Sequence, residues 1–293
     1  MTSILAPLFD TIGVFLKYAP GTETSSTLED LNASAIAARK RVTTIVSDGV
    51  YKAIEKEKEG EAFESLRSVM ANLTLANQLI FDTVARKKSD TNIYKYEVEA
   101  MKRGYMENYY NAMDTLIQEL SSHEEEGNEA SDLWRKSRYF SILESCKIAT
   151  AEDFDSIYPI DLSYLFFFHT VPLQRECLRE RISTYYDRIT EDNKDTVTPL
   201  LELALAKKTI AKALRRFDIL DFPPTIRNLF DSNTASRSGS DEHSQAMELA
   251  ARLDSEADEL LASVDALLTD SSQLDYSTVT SFNRPDDKIV MLP

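Results

Sequence analysis

The chain has 293 residues, 43% hydrophobic and 28% charged, with a net charge of −16 from 33 basic and 49 acidic residues. This apolar content excludes a wholly disordered chain, and the length suits one large or two small domains. Only seven glycines occur, no two closer than eight residues, which excludes clustered-glycine phosphate loops and argues against turn-rich sandwiches and barrels.

Residues 1–31 read as an N-terminal arm. Pro7, Pro20 and Gly21 interrupt it, while Leu5, Leu8, Phe9 and Phe15 make it apolar. Asn32 or Ser34 can cap a helix through residues 35–58, and Gly60 ends it. The next helix, about 61–88, carries Phe63, Leu66, Met70, Leu73, Asn77, Ile80 and Val84 at alternating spacings of three and four. Asn77 is its polar flaw, either a buried device that fixes register or an edge residue reaching solvent.

A turn at 89–92 leads to a helix near 93–121, with Val98, Met101, Tyr105, Ala112, Leu116 and Leu120 on one face. Residues 122–131 are a polar linker. Trp134 opens a mixed stretch with a short helix around 139–146, and Asp161 can cap a segment through Phe168. Pro172 predicts a kink or break, after which helices span about 173–190 and 196–217. Residues 233–244 are linker-like, and an acidic amphipathic helix of about 242–268 follows, striped by Leu249, Leu253, Ala257, Leu260, Val264 and Leu267. Residues 241–270 carry nine acidic residues against the single base Arg252. The segments 66–76 and 201–211 echo one another, which two similar helical halves, about 32–121 and 132–232, would explain. The expectation is therefore an all-α helical bundle body over 32–232, a linker and acidic helix over 233–270, and a C-terminal tail over 271–293.

Chemical motifs are sparse. The histidines are His123, His169 and His243, with no HExxH and no Glu-x-x-His pair, and CxxC is absent. Cys146 and Cys177 are too few for a disulfide framework and read as reduced, buried thiols. Cys177 and His169 could form a thiol dyad, but core roles suit them better, since no orienting group is evident. The expectation is no enzyme, no metal and no cofactor. Basic clusters at 39–41, 86–88 and 207–216 suggest a nucleic-acid surface at first sight; helix C-terminal positions favour a structural role for 86–88 and 212–216, and a solvated helix face or an acidic protein partner suits 39–41 better than DNA. The start lacks a basic n-region, and the apolar run 162–173 is far short of the ~20 residues that cross a bilayer, so neither export nor membrane contact is expected.

The tail has no helical stripe yet contains Tyr276, Phe282, Ile289, Val290, Met291 and Leu292. Apolar extensions dock on something. Together with Leu8 and Phe9 of the arm, these residues are the candidate partner-binding set. The alternative is that arm and tail both fold back on their own body.

One resemblance bears on function. YKYEVEAMKRGYMENYYNAMDTLIQEL and the stretch from Leu133 to Gln174, with Trp134, Ser137, Tyr139, Phe154, Tyr158, Ile160, Phe168 and Pro172, resemble a family of structural proteins from Bacteroidales phages and prophages, including the crAss-like phages. The Leu-Asp-Phe-Pro-Pro stretch at 220–224 fits as well, so the resemblance spans about 40–224. It implies a virion protein made in the host cytoplasm: a neck or head–tail connector subunit in a ring of about twelve copies. Its implied partners are itself, the portal protein and adjacent neck or tail rings, with duplex DNA as non-specific cargo. It brings no catalytic residues. The competing expectation is a cytoplasmic bacterial helical adaptor or scaffold.

Overall fold

The computed structural model of the chain describes residues 3–20, 27–88, 95–122, 128–229 and 239–273. It is 79% helical, with no strand among the described residues, as scarce glycine and the three–four apolar spacing dictate. The helices are α1 (Ile12–Tyr18), α2 (Asn32–Val46), α3 (Asp48–Glu57), α4 (Glu61–Lys88), α5 (Lys95–Ser122), α6 (Glu129–Arg135), α7 (Arg138–Leu143), α8 (Ala151–Ile157), α9 (Tyr164–Cys177), α10 (Ser183–Tyr186), α11 (Lys194–Arg216), α12 (Pro224–Arg227) and α13 (Gly239–Gln273). A π-helical turn, Leu178–Ile182, joins α9 to α10, and a 3₁₀ turn, Ile219–Asp221, precedes α12.

Two long helix pairs dominate, α4 against α5 and α11 against α13. α2 lies on α4, and α9 packs on both α5 and α11, joining the pairs. One continuous apolar core runs from Leu5 to Leu268. The echoing segments 66–76 and 201–211 lie in α4 and α11, the first helix of each pair.

The N-terminal residues form no free arm. Leu8 and Phe9 are each 1% exposed, inside the chain's own core. The Phe9 ring meets Phe15 edge-on at 5.1 Å and Tyr18 at 5.8 Å. Arg67 of α4 donates Nε–H to the Leu8 carbonyl at 2.7 Å, and Asn32 Oδ1 accepts from Ile4 N–H at 3.0 Å. Each large apolar side chain buried this way contributes roughly 1.5–3 kcal/mol, so the segment is held by its own body. Asn32 thus ties the N-terminus down, while α2 has no side-chain cap.

Three other expectations change. The helix expected over 35–58 breaks at Ser47, whose φ of 82° ends α2 and whose Oγ accepts from Val50 N–H to start α3. Pro172 does not break the helix: α9 continues through it from Tyr164 to Cys177. A mid-helix proline costs about 3 kcal/mol. Burying Phe166, Phe167, Phe168, Val171 and Leu173 outweighs that several times over. α13 is rotated from the expected stripe: its buried seam is Ala246, Ala250, Leu253, Ala257, Leu261, Val264 and Leu268. Small alanines let α13 approach α11 closely, and Leu249 and Leu260 are left flanking the seam.

Candidate functional site: a polar cleft at the joint

A concavity of about 650 Å³ opens where α5, the start of α9 and the α12 turn converge. α5 supplies Glu107, Tyr110, Asn111 and Asp114, spaced three, one and three and therefore on one helix face. Leu165, Phe166, Phe222, Pro223 and Pro224 line its apolar part. Sequence explains the local geometry. Pro223 is extended and Pro224 sits at the first position of α12, where its missing N–H costs nothing. Asp161 and Leu162 both adopt positive φ, 56° and 50°, a strained pair for non-glycine residues. Asp155 Oδ1 holds that turn by accepting from Ile160 N–H at 2.8 Å and Leu162 N–H at 3.1 Å. Asp161 reaches across to α12, accepting from Thr225 N–H at 2.9 Å and from its hydroxyl. The cap of α9 is Ser163 rather than Asp161.

Charged groups in and around the cleft are engaged with one another. Asp221 accepts from Tyr110 Oη at 2.5 Å and pairs with Arg41 of α2 at 3.1 Å. Arg227, 6% exposed, pairs with Glu107 at 3.0 Å, while its buried Nε–H has no partner. Asp114 accepts from Leu165 N–H at 2.8 Å and Ser163 Oγ–H at 3.0 Å. Burial pushes Asp114 up to about 6, against the lowering effect of those two bonds. The cleft contains no thiol and no imidazole. No group of three His, Cys, Asp or Glu placed to hold a metal exists among the described residues.

Sequence reasoning missed this site because its residues come from three separated segments. The available signals were the polar face of α5 and the Leu-Asp-Phe-Pro-Pro stretch.

The expected partner-binding residues divide. Leu8 and Phe9 are core and offer no surface. Tyr276, Phe282, Ile289, Val290, Met291 and Leu292 lie outside the described residues. On α4 and α5, Ile80, Phe81 and Met101 are 65%, 55% and 41% exposed. The α4 stripe is buried from Phe63 to Leu73 and gives out at Asn77, which reaches the Ser34 carbonyl at 3.4 Å.

The basic residues of α11 face carboxylates. Lys208 pairs with Asp254 and Asp258, Lys207 with Glu256, and Arg215 with Asp254, all on α13. Lys212 and Arg216 both pair with Glu176, whose carboxyl they hold down at about 2. Arg39 pairs with Asp48. The side chains of 86–88 lie outside the described residues. The acid of α13 is thus partly spent on its own neighbour. Burial pushes both Cys146 and Cys177 up to about 11, and His169, lowered by burial, lies between the Tyr139 and Phe217 rings. Cys177 and His169 are eight residues apart on one helix, about 12 Å of rise, so they form no dyad.

No helix among the described residues is long and apolar enough to cross a membrane. No family model, no curated protein and no solved structure matches the chain.

Proposed function

We propose that the protein is a non-catalytic structural subunit of a tailed-phage particle, a neck or head–tail connector ring component. The observation that carries an assembly role is the exposure of Ile80, Phe81 and Met101 on a long helix pair of an otherwise highly charged chain. A contiguous exposed apolar patch marks contact with another macromolecule, and in this reading the three side chains share one. The resemblance over 40–224 supplies the specific kind of assembly and takes in both the helix pair and the cleft. Thiols whose acidity burial pushes up to about 11 and a half-buried histidine packed between two aromatic rings support a role without nucleophilic chemistry. In this reading the neighbouring copy covers the α4–α5 surface, the tail residues reach the portal or the next ring, and duplex DNA passes without specific contact.

The test is sedimentation of the full chain beside an Ile80→Glu/Phe81→Glu variant. Wild type should form a closed oligomer, and the variant should sediment as a monomer with unchanged helicity. If both are monomers at every concentration and remain so with the portal protein, the helical adaptor reading replaces this one.

A further inference from the structure

The cleft keeps both acceptors and a donor unmatched. Asp114 accepts from Ser163 Oγ–H and Leu165 N–H, and both bonds end on Oδ1. Asp221 likewise takes Tyr110 Oη–H and Arg41 on Oδ1 alone. Glu107 meets Arg227 and Arg103 through Oε1 alone. Three carboxylates lining one cavity therefore each leave their second oxygen without a bond to a described residue. Asp114 and Asp161, a fourth lining carboxylate, have no cation paired with them among the described residues. Arg227 is the independent observation. It is 6% exposed, yet its Nε–H has no acceptor, and its only bond runs from Nη2 to Glu107. A buried donor left in this state is costly in the free protein.

These groups define an occupant. It brings positive charge for the carboxylate oxygens, an acceptor oxygen for the Arg227 edge, and an apolar stretch for the wall of Phe222 and Pro224. An anion is repelled by the carboxylates, and a free polyamine has no acceptor. A metal ion finds no group of three ligands among the described residues. A Lys or Arg residue within a peptide has all three features: a charged head, an alkyl stem and a main-chain carbonyl beside them.

The geometry points to a docking site for a basic segment of a partner protein. One Lys or Arg side chain enters the cleft, its stem along Phe222 and Pro224, its head on the open oxygens of Asp114 and Asp221, and an adjoining carbonyl on the Arg227 edge. The cavity, about 650 Å³, lies within the ~300–1,000 Å³ usual for ligand sites. This site is separate from the α4–α5 surface and does not depend on the ring reading.

The test is NMR titration of the full, amide-labelled chain with acetyl-Ala-Arg-Ala-amide, beside its Gln analogue and methylguanidinium chloride alone. It is run at pH ~7.5, above the value of about 6 to which burial raises Asp114, so that this carboxyl is ionised. Wild type should bind the Arg peptide saturably, with shifts in α5 and residues 221–228, about tenfold more tightly than either control. Asp114→Asn keeps an oxygen for Ser163 and Leu165 and should weaken binding about tenfold. Asn111→Arg, at an exposed position lining the cleft, supplies a cation of its own and should abolish binding. Glu144→Gln, an exposed acid outside the cleft, should change nothing. If Asp114→Asn fails to fold, Asn111→Arg decides. No saturable shift at the cleft, equal binding of the Arg and Gln peptides, methylguanidinium binding as tightly as the Arg peptide, or undiminished binding by Asn111→Arg overturns the proposal.

Discussion

Gln174 is the most expensive polar side chain in the core. It is 0% exposed on α9, and neither its amide nitrogen nor its amide oxygen has a partner. An unpaired buried amide costs roughly 1–3 kcal/mol per group in protein mutational data. Gln174→Met keeps the length and removes both polar atoms, so it should stabilise the fold by about 1–3 kcal/mol. Urea unfolding measures this, and a lower midpoint would mean the amide is bonded. At this scale the sequence was half legible. Met70 and Leu73 are as buried as their spacing implies. Asn72, by contrast, escaped notice. It donates to the Tyr18 and Ser68 carbonyls at 3.2 and 2.9 Å, pinning α1 to α4, a contact no periodicity encodes. Asp114 was equally hidden, since its importance comes from Ser163 and Leu165, forty-nine and fifty-one residues away.

At the scale of elements, the α11–α13 seam combines small-residue packing with flanking ion pairs. Lys208 is central: its side chain is 16% exposed and its ammonium lies 3.5 Å from Asp254 and 3.1 Å from Asp258. Lys208→Glu would place three carboxylates together at a partly exposed site. The cost should be about 1–2 kcal/mol, between the small worth of exposed pairs and the larger penalty of an unpaired buried charge. Because salt screens such repulsion, 1 M salt should recover part of the loss. Thermal melts of wild type and variant at low and high salt check both statements. Helix existence was legible from spacing and low glycine, whereas helix ends and faces were less so. Pro172 misled because a single lost hydrogen bond was weighed without the aromatic burial that α9 achieves on nearly all sides. On α13 the expected Leu253, Ala257 and Val264 are in the buried seam, while Leu249, Leu260 and Leu267 give way to Ala250, Leu261 and Leu268, each one residue on. The close approach of α11 sets that seam, a tertiary fact.

For the whole molecule, α9 joins two helix pairs into one core, and the cleft forms at the joint. That construction suits a subunit whose ends contact different neighbours. The N-terminal segment does not contribute to such contacts, since its apolar residues complete the body. In the proposed assembly, the contacts are assigned to the α4–α5 surface and to residues 274–293. The buried seam of α13 ends at Leu268, so a chain cut after Gln273 keeps every described core residue and should melt within a few degrees of full length. The central claim is that this chain is a ring-forming structural subunit, and electron-microscope imaging tests it most directly. Full-length protein and the chain cut after Gln273 would each be imaged alone and mixed with a candidate portal protein. The account predicts closed rings stacked on the portal for full length, and no stacking for the shortened chain. Isolated monomers in every full-length sample would contradict it.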